Sequence, residues 1–130
     1  MIAAGIGSKR GAPASDIEAA VRTALARAQI SADALDAIAT MQAKSGEPGI
    51  REAAEKFGVA FVVVPKLELT AAKGRVETRS ERVTALAGVG SVAEAAALAA
   101  AGPASTLIVP RVIVGAATCA LAASPQESAP

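Results

Sequence analysis

The sequence predicts an α/β layered fold: a mostly parallel sheet flanked by helices, with a C-terminal antiparallel strand. Three observations predict it. Short apolar runs of strand type alternate along the chain with segments of helical period. The first run breaks into GIGSKRG, Gly5 to Gly11, and a helix follows soon after. The last two runs are joined by so short a connection that they must be antiparallel neighbours.

Strand one is Ile2 to Gly7. Ser15-Asp16-Ile17-Glu18 has capping-box spacing, so helix one is expected to start from an N-cap at Ser15. Its apolar face is Ile17, Ala20, Val21, Ala24, Leu25 and Ala28, with Arg22 and Arg27 on solvated faces. Ser31 to Leu35 makes a short turn, and Leu35 to Met41 alternates as a second strand. Pro48 suits the first turn of a helix that runs to Phe57 and stops at Gly58.

VAFVVV, Val59 to Val64, is apolar and largely β-branched, which predicts a central parallel strand buried on both faces. Pro65 opens a helix over Lys66 to Lys73, ended by Gly74. Gly74 to Arg82 reads as an exposed, mobile loop, and Ser80 as the cap of a short helix over Glu81 to Ala87. GVGSVAEAAAL, Gly88 to Leu98, feeds an alanine-rich helix that ends at Gly102-Pro103; Ser91 is placed as its N-cap and Glu94 completes a capping box. Strands follow at Thr106 to Pro110 and Gly115 to Leu121, with Arg111 between them.

At 130 residues there is room for one domain, expected over 1–123, with a disordered tail over 124–130. Apolar residues make up 52% of the chain and aromatics 2%, so the core must be built from Ala, Val, Leu and Ile. Base stacking needs aromatic platforms, and a net charge of +1 gives no general field for nucleic acid. With no histidine, the commonest general base and zinc ligand are missing; neither a metal site nor a cofactor is expected. Cys119 is the only cysteine, which suits a reducing cytoplasm, and in an apolar strand it reads as a small buried hydrophobe. No basic segment precedes the first apolar run, so no signal peptide is expected. Glu94, Gly102, Pro103, Pro110 and Arg111 interrupt the apolar region from Val92 to Ala123, so no membrane span is expected either.

Right-handed crossovers between parallel strands would bring the C-terminal ends of strands one, two and three to one edge of the sheet, with Ser8 to Arg10 and Lys44 to Glu47 following strands one and two. Loop amides and helix N-termini there favour an anion, and Lys9 and Arg10 add two adjacent cations. The side of the sheet taken by Gly88 to Ser91 is left open. GIGSKRG is not a dinucleotide fingerprint, because Ala12 stands where the third glycine would be, nor does it match a phosphate loop. A bland reading stands beside each candidate. Glycines can serve a tight turn, Lys44 and Glu47 can pair across a solvated loop, Ser91 and Glu94 can be a helix cap, and Arg111 can be solvated.

Taken together, GIGSKRG, KSGEPGI, GVGSVAEAAAL and LIVPRVIVGAATCALA resemble the CobE/CbiG C-terminal domain family of cobalamin biosynthesis, over Ile2 to about Ala123. Without the additional N-terminal sequence of CbiG, the chain looks like the stand-alone, CobE-like form. The resemblance implies a role in corrin ring assembly. Proteins of the CbiG type open the ring-A lactone of a cobalt-precorrin and release acetaldehyde. The matched positions are Gly5, Gly7, Arg10, Gly11, Lys44, Glu47, Gly90, Ser91, Glu94 and Arg111. Ser8 and Lys9 stand where the family often has Cys and Arg, so a thiol there is not required.

Three hypotheses follow. The first is a carrier or accessory factor binding a precorrin or corrinoid, its carboxylates held by Lys9, Arg10, Lys44 and helix N-termini. The macrocycle would then need apolar surface from Ala, Val and Met or from a partner, such as another cobalamin-pathway enzyme. The second is a hydrolase or lyase in which Glu47 activates water or moves a proton. The third is a small-phosphate or nucleotide module. The alanine-rich last helix and the final hairpin offer a face for a homodimer.

Overall fold

In the computed structural model of the protein, β1 (Ile2–Ser8), β2 (Ala37–Met41), β3 (Ala60–Val64), β4 (Thr106–Val114) and β5 (Ala117–Ala123) form one sheet. Their order is β3-β2-β1-β5-β4. Helices α1 (Ala14–Ala28), α2 (Pro48–Phe57), α3 (Lys66–Lys73) and α4 (Gly88–Ala101) cover it. The structure describes residues 1–73 and 88–125, without the side chains of 73 and 88–91. The loop expected over Gly74 to Arg82 and the helix expected over Glu81 to Ala87 lie outside the described residues. So does most of the expected tail; Ser124 itself is anchored, its N–H donating to Met1 O at 3.0 Å.

β1, β2 and β3 are parallel, β5 is antiparallel to β1, and β4 is antiparallel to β5. The alternation of side chains along β1 divides the core. Ala4 and Ile6 join Ile17 and Val21 of α1, Ile50 and Ala53 of α2, Ile38, Cys119 and Leu121 on one face. Ala3 joins Ala39, Ala122, Leu69 of α3 and Ala95 to Leu98 of α4 on the other. The apolar face expected for the first helix is the buried one: Ile17, Ala20, Val21, Ala24 and Leu25.

Small residues set the spacing of these layers. A methyl group built on Gly5 would strike the carbonyl of Ala93 and the amide of Ala97, both backbone atoms of α4. Alanine in α4 and glycine in β1 therefore let the helix lie directly on the central strand, which dispersion rewards only when the gap is closed. The alanine excess and the lack of aromatics have this packing as their physical counterpart.

Several expectations are corrected. β3 is an edge strand and not the centre; Val63 is 37% exposed and Phe61 and Val62 are only half-buried. A β-branched run reports that both faces meet something, and both do, but it carries no information about the flank. The central strand is β1, where crowding by helices on both sides requires Gly and Ala. Ser15 does not cap α1: the helix begins at Ala14 behind Pro13, and Glu18 pairs with Lys56 of α2 at 3.4 Å. Ser91 lies within α4 and is not its N-cap. The second strand starts at Ala37, after a 3-10 turn at Ala32–Ala34 whose cap is Ser31. Pro110 and Arg111 are inside β4, where register shifts on either side of Val109 absorb the proline on an edge strand. Pro48 at the start of α2 and left-handed Gly58 at its end stand as expected.

Candidate functional site

The parallel strands bring the C-terminal ends of β1, β2 and β3 to one edge, as expected. α4 runs back from the same edge. Its Ala93 and Ala97 lie against Gly5, and its C-terminal end leads into β4 at Thr106, which is in register with Ala123. The first turn of α4, with Gly90 and Ser91, is thereby placed at the C-terminal end of β1, which the sequence left open.

The structure divides the GIGSKRG stretch. Gly5, Gly7 and Ser8 are strand residues buried in β1, so only Lys9 to Gly11 forms the turn. Gly5 serves helix packing and is no part of a ligand loop. Ser8 is 4% exposed, and its hydroxyl meets no partner among the described residues. Strand alternation puts it on the same face as Ile6, beneath the start of α1. A position filled this way suits a small packing side chain. Lys9 and Arg10 are exposed. The Lys9 N–H donates to Ala116 O at 3.0 Å, and the Ala116 N–H donates to Asp16 Oδ2 at 3.0 Å. Asp16 in the first turn of α1 thus ties the β4–β5 turn to this edge, a role that the local spacing around Ser15 and Glu18 does not signal.

The second loop is held to the first. Gly11 has φ +75°, and its N–H donates to Glu47 Oε1 at 2.8 Å. Glu47 precedes Pro48 at the start of α2. The close approach continues at Gly49, where a methyl group would meet the carbonyl of Ala12. Lys44 and Glu47 do not pair with each other; among the described residues the ion pair is Lys56 with Glu18.

Glu94 is buried, 8% exposed, and its Oε2 accepts the Arg111 backbone N–H at 3.1 Å. The irregular register around Pro110 leaves that N–H without its ladder partner, and the carboxylate satisfies it. Glu94 and Arg111 are therefore neighbours, as site candidates should be, but the contact shown is a structural one between α4 and β4.

The charges at this edge are unequal in their partners. Asp16, Glu47 and Glu94 each accept a backbone N–H. Lys9, Arg10, Lys44 and Lys66 have no acidic partner among the described residues. Sequence reasoning missed Lys66 and a neighbouring cavity of about 490 Å³ at the ends of β2 and β3, walled by Met41, Val64 and Leu69. Pro65 after a strand was the available signal, since it starts α3 at this edge. No group of His, Cys, Asp and Glu that could hold a metal occurs among the described residues. No described helix is long and apolar enough to cross a membrane.

The domain is a three-layer α/β/α fold, and the cations at the C-terminal ends of its parallel strands, the end at which open α/β sheets take their ligands, have no acidic partner among the described residues. The chain belongs to the family described as Cobalamin synthesis G C-terminus, which matches residues 2–122, and is thus of the CobE and CbiG C-terminal type of cobalamin biosynthesis protein. Protein CobE of Sinorhizobium sp. is 37% identical over 118 residues, 91% of this chain and 77% of that protein. A cobalt-precorrin-5A hydrolase of Priestia megaterium is 33% identical over 98 residues, covering 75% of this chain and 26% of the hydrolase. The crystal structure of CobE from the cobalamin biosynthetic pathway superposes with a TM-score of 0.80 and 32% identity, over 94% of this chain and 92% of that one.

Proposed function

We propose that this chain binds a corrin-ring precursor as a carrier or accessory factor in cobalamin biosynthesis. The observation that supports this is the imbalance at the strand ends. Asp16, Glu47 and Glu94 are held by backbone N–H groups, while Lys9, Arg10, Lys44 and Lys66, with no acidic partner among the described residues, can meet an incoming ligand. Precursors of the corrin ring carry acetate and propionate groups around a flat ring, and separated cations on a rim match separated carboxylates. Glu47, the one residue assigned acid–base chemistry, holds the Gly11 turn instead, which favours binding over turnover. A carrier must hand on its ligand, so contact with other enzymes of the pathway is part of the same proposal.

The second reading, a hydrolase or lyase acting on the ring-A lactone with release of acetaldehyde, is favoured by the likeness to the Priestia megaterium hydrolase. This chain corresponds to about a quarter of that protein, and the larger remainder is where the reading is weakest.

The test is a titration of the protein with cobyrinic acid and with lactone-bearing precorrins, followed by visible absorbance and product mass. Binding with unchanged mass supports the carrier. A mass change with acetaldehyde released establishes the hydrolase. Binding of neither to folded protein, with a nucleotide raising Tm instead, would overturn both in favour of a phosphate-binding module.

A further inference from the structure

The cations account for carboxylates but not for the ring. We infer that the cavity between the ends of β2 and β3 and the start of α3 takes the apolar rim of the macrocycle, so that the ligand lies across the sheet edge from this cavity toward Lys44, Lys9 and Arg10. This rests on the corrin-binding reading and adds a place and an orientation to it.

The chemistry of the lining carries the inference. Val64 and Leu69 are buried and Met41 half-buried, all three on the core face that α3 and α4 cover. They present branched aliphatic groups and one thioether, the adaptable surface that a methylated, non-aromatic ring edge requires. With almost no aromatic residues in the chain, stacking on a ring face is not what this site offers. The volume of about 490 Å³ falls within the roughly 300–1,000 Å³ usual for small-molecule sites. It suits one edge of a tetrapyrrole.

The polar groups stand where substituents would leave that edge. Lys66 and Gln42 are exposed at the cavity's lining. Lys44 follows Gln42 on the same 3-10 turn at Gln42–Lys44. That turn continues to Glu47, which is clasped to Gly11, so the cavity and the basic turn after β1 are joined by one short, hydrogen-bonded segment. An apolar wall with a cation beside it, continuous with further cations that have no acidic partner among the described residues, complements an apolar ring with acidic arms.

The experiment is a titration with cobyrinic acid, a polycarboxylate corrin, of the wild type, Ala43→Trp and Lys66→Glu. Ala43 lines the cavity from an exposed position, so the indole fills space without entering the core. Circular dichroism and a urea midpoint check each fold. Lys66 is exposed too, so its variant serves if the first does not fold. The expected result is that Ala43→Trp weakens binding at least tenfold. Lys66→Glu weakens it several-fold, more at low ionic strength. Wild-type binding with both variants unchanged overturns the placement and leaves the corrin-binding reading standing. No binding by the wild type overturns both.

Discussion

The N–H of Gly11 donates to Glu47 Oε1 at 2.8 Å, joining the turn after β1 to the residue that precedes α2. The contact uses the carboxylate as an acceptor only. Glu47→Gln keeps an acceptor oxygen and is expected to retain both fold and corrinoid binding. Glu47→Ala is expected to lose about 1 kcal/mol, the usual size of a partly exposed hydrogen bond, measured as a shift in urea midpoint. Loss of turnover with intact binding in Glu47→Gln would instead establish an acid–base role.

Gly5→Ala is expected to destabilise the fold by about 3 kcal/mol, at the upper end of overpacking penalties. The added methyl group meets backbone of α4 at Ala93 and Ala97, and backbone has no rotamer by which to yield. Equilibrium denaturation reads this directly, and a loss below about 1 kcal/mol would show that α4 can move away from β1 at little cost.

Ser8→Ala or Ser8→Cys is expected to raise stability by about 1 kcal/mol, because a buried hydroxyl that meets no partner among the described residues carries a desolvation cost that either replacement removes. The measurement is the urea midpoint at unchanged m-value. A large loss would mean that the hydroxyl has a partner in solution, bound water included.

Removing the rim cations one at a time, as Lys9→Ala, Arg10→Ala or Lys44→Ala, is expected to weaken cobyrinic acid binding several-fold each while leaving stability within about 0.5 kcal/mol. Calorimetric titration at two salt concentrations checks this, since the affinity should fall as salt screens the site. Salt-independent binding would show that the carboxylates are held elsewhere.

Cys119 lies wholly buried on the α1 side of the sheet, and burial pushes its thiol well above the ordinary cysteine range. The folded state therefore keeps the proton while the unfolded state releases it above a pH of about 8.5. Stability from this group is complete below that pH and declines above it, by up to about 1.4 kcal/mol per pH unit. Cys119→Ala is expected to lack that part of the alkaline decline in urea midpoint. Alkylation of the native wild type is expected to be on the order of 100-fold slower than that of the unfolded chain, since it must await opening.

Much of the architecture was legible before the structure. The i, i+3, i+4 spacing from Ile17 to Leu25 marked the face that α1 buries. Pro48 and Gly58 marked the ends of α2. Lys9, Arg10 and Lys44 were legible as cations on loops after strands. Less legible were the residues with side-chain oxygens. Ser15, Ser91, Glu18 and Glu94 have capping-box spacing, but local spacing competes with distant partners. Glu18 reaches Lys56, and Glu94 reaches Arg111. Of the dimer face expected from the last helix and hairpin, Ala95, Ala96 and Ala97 are buried within the domain. Ile108 and Ile113 of β4 are the exposed large apolar residues there.

By itself the sequence determined the alternation of strands and helices, the face that α1 buries, and that one thiol would sit in the core. Those properties follow from side-chain period, which each segment carries alone. Only the tertiary structure decided that β1 and not β3 is central, that Asp16 and Glu47 clasp loops, and that a cavity opens beside Lys66. A strand's flank and a carboxylate's acceptor role are settled by what the closed chain brings near. Asp16 and Ala116 are 100 residues apart, and no local pattern encodes their meeting.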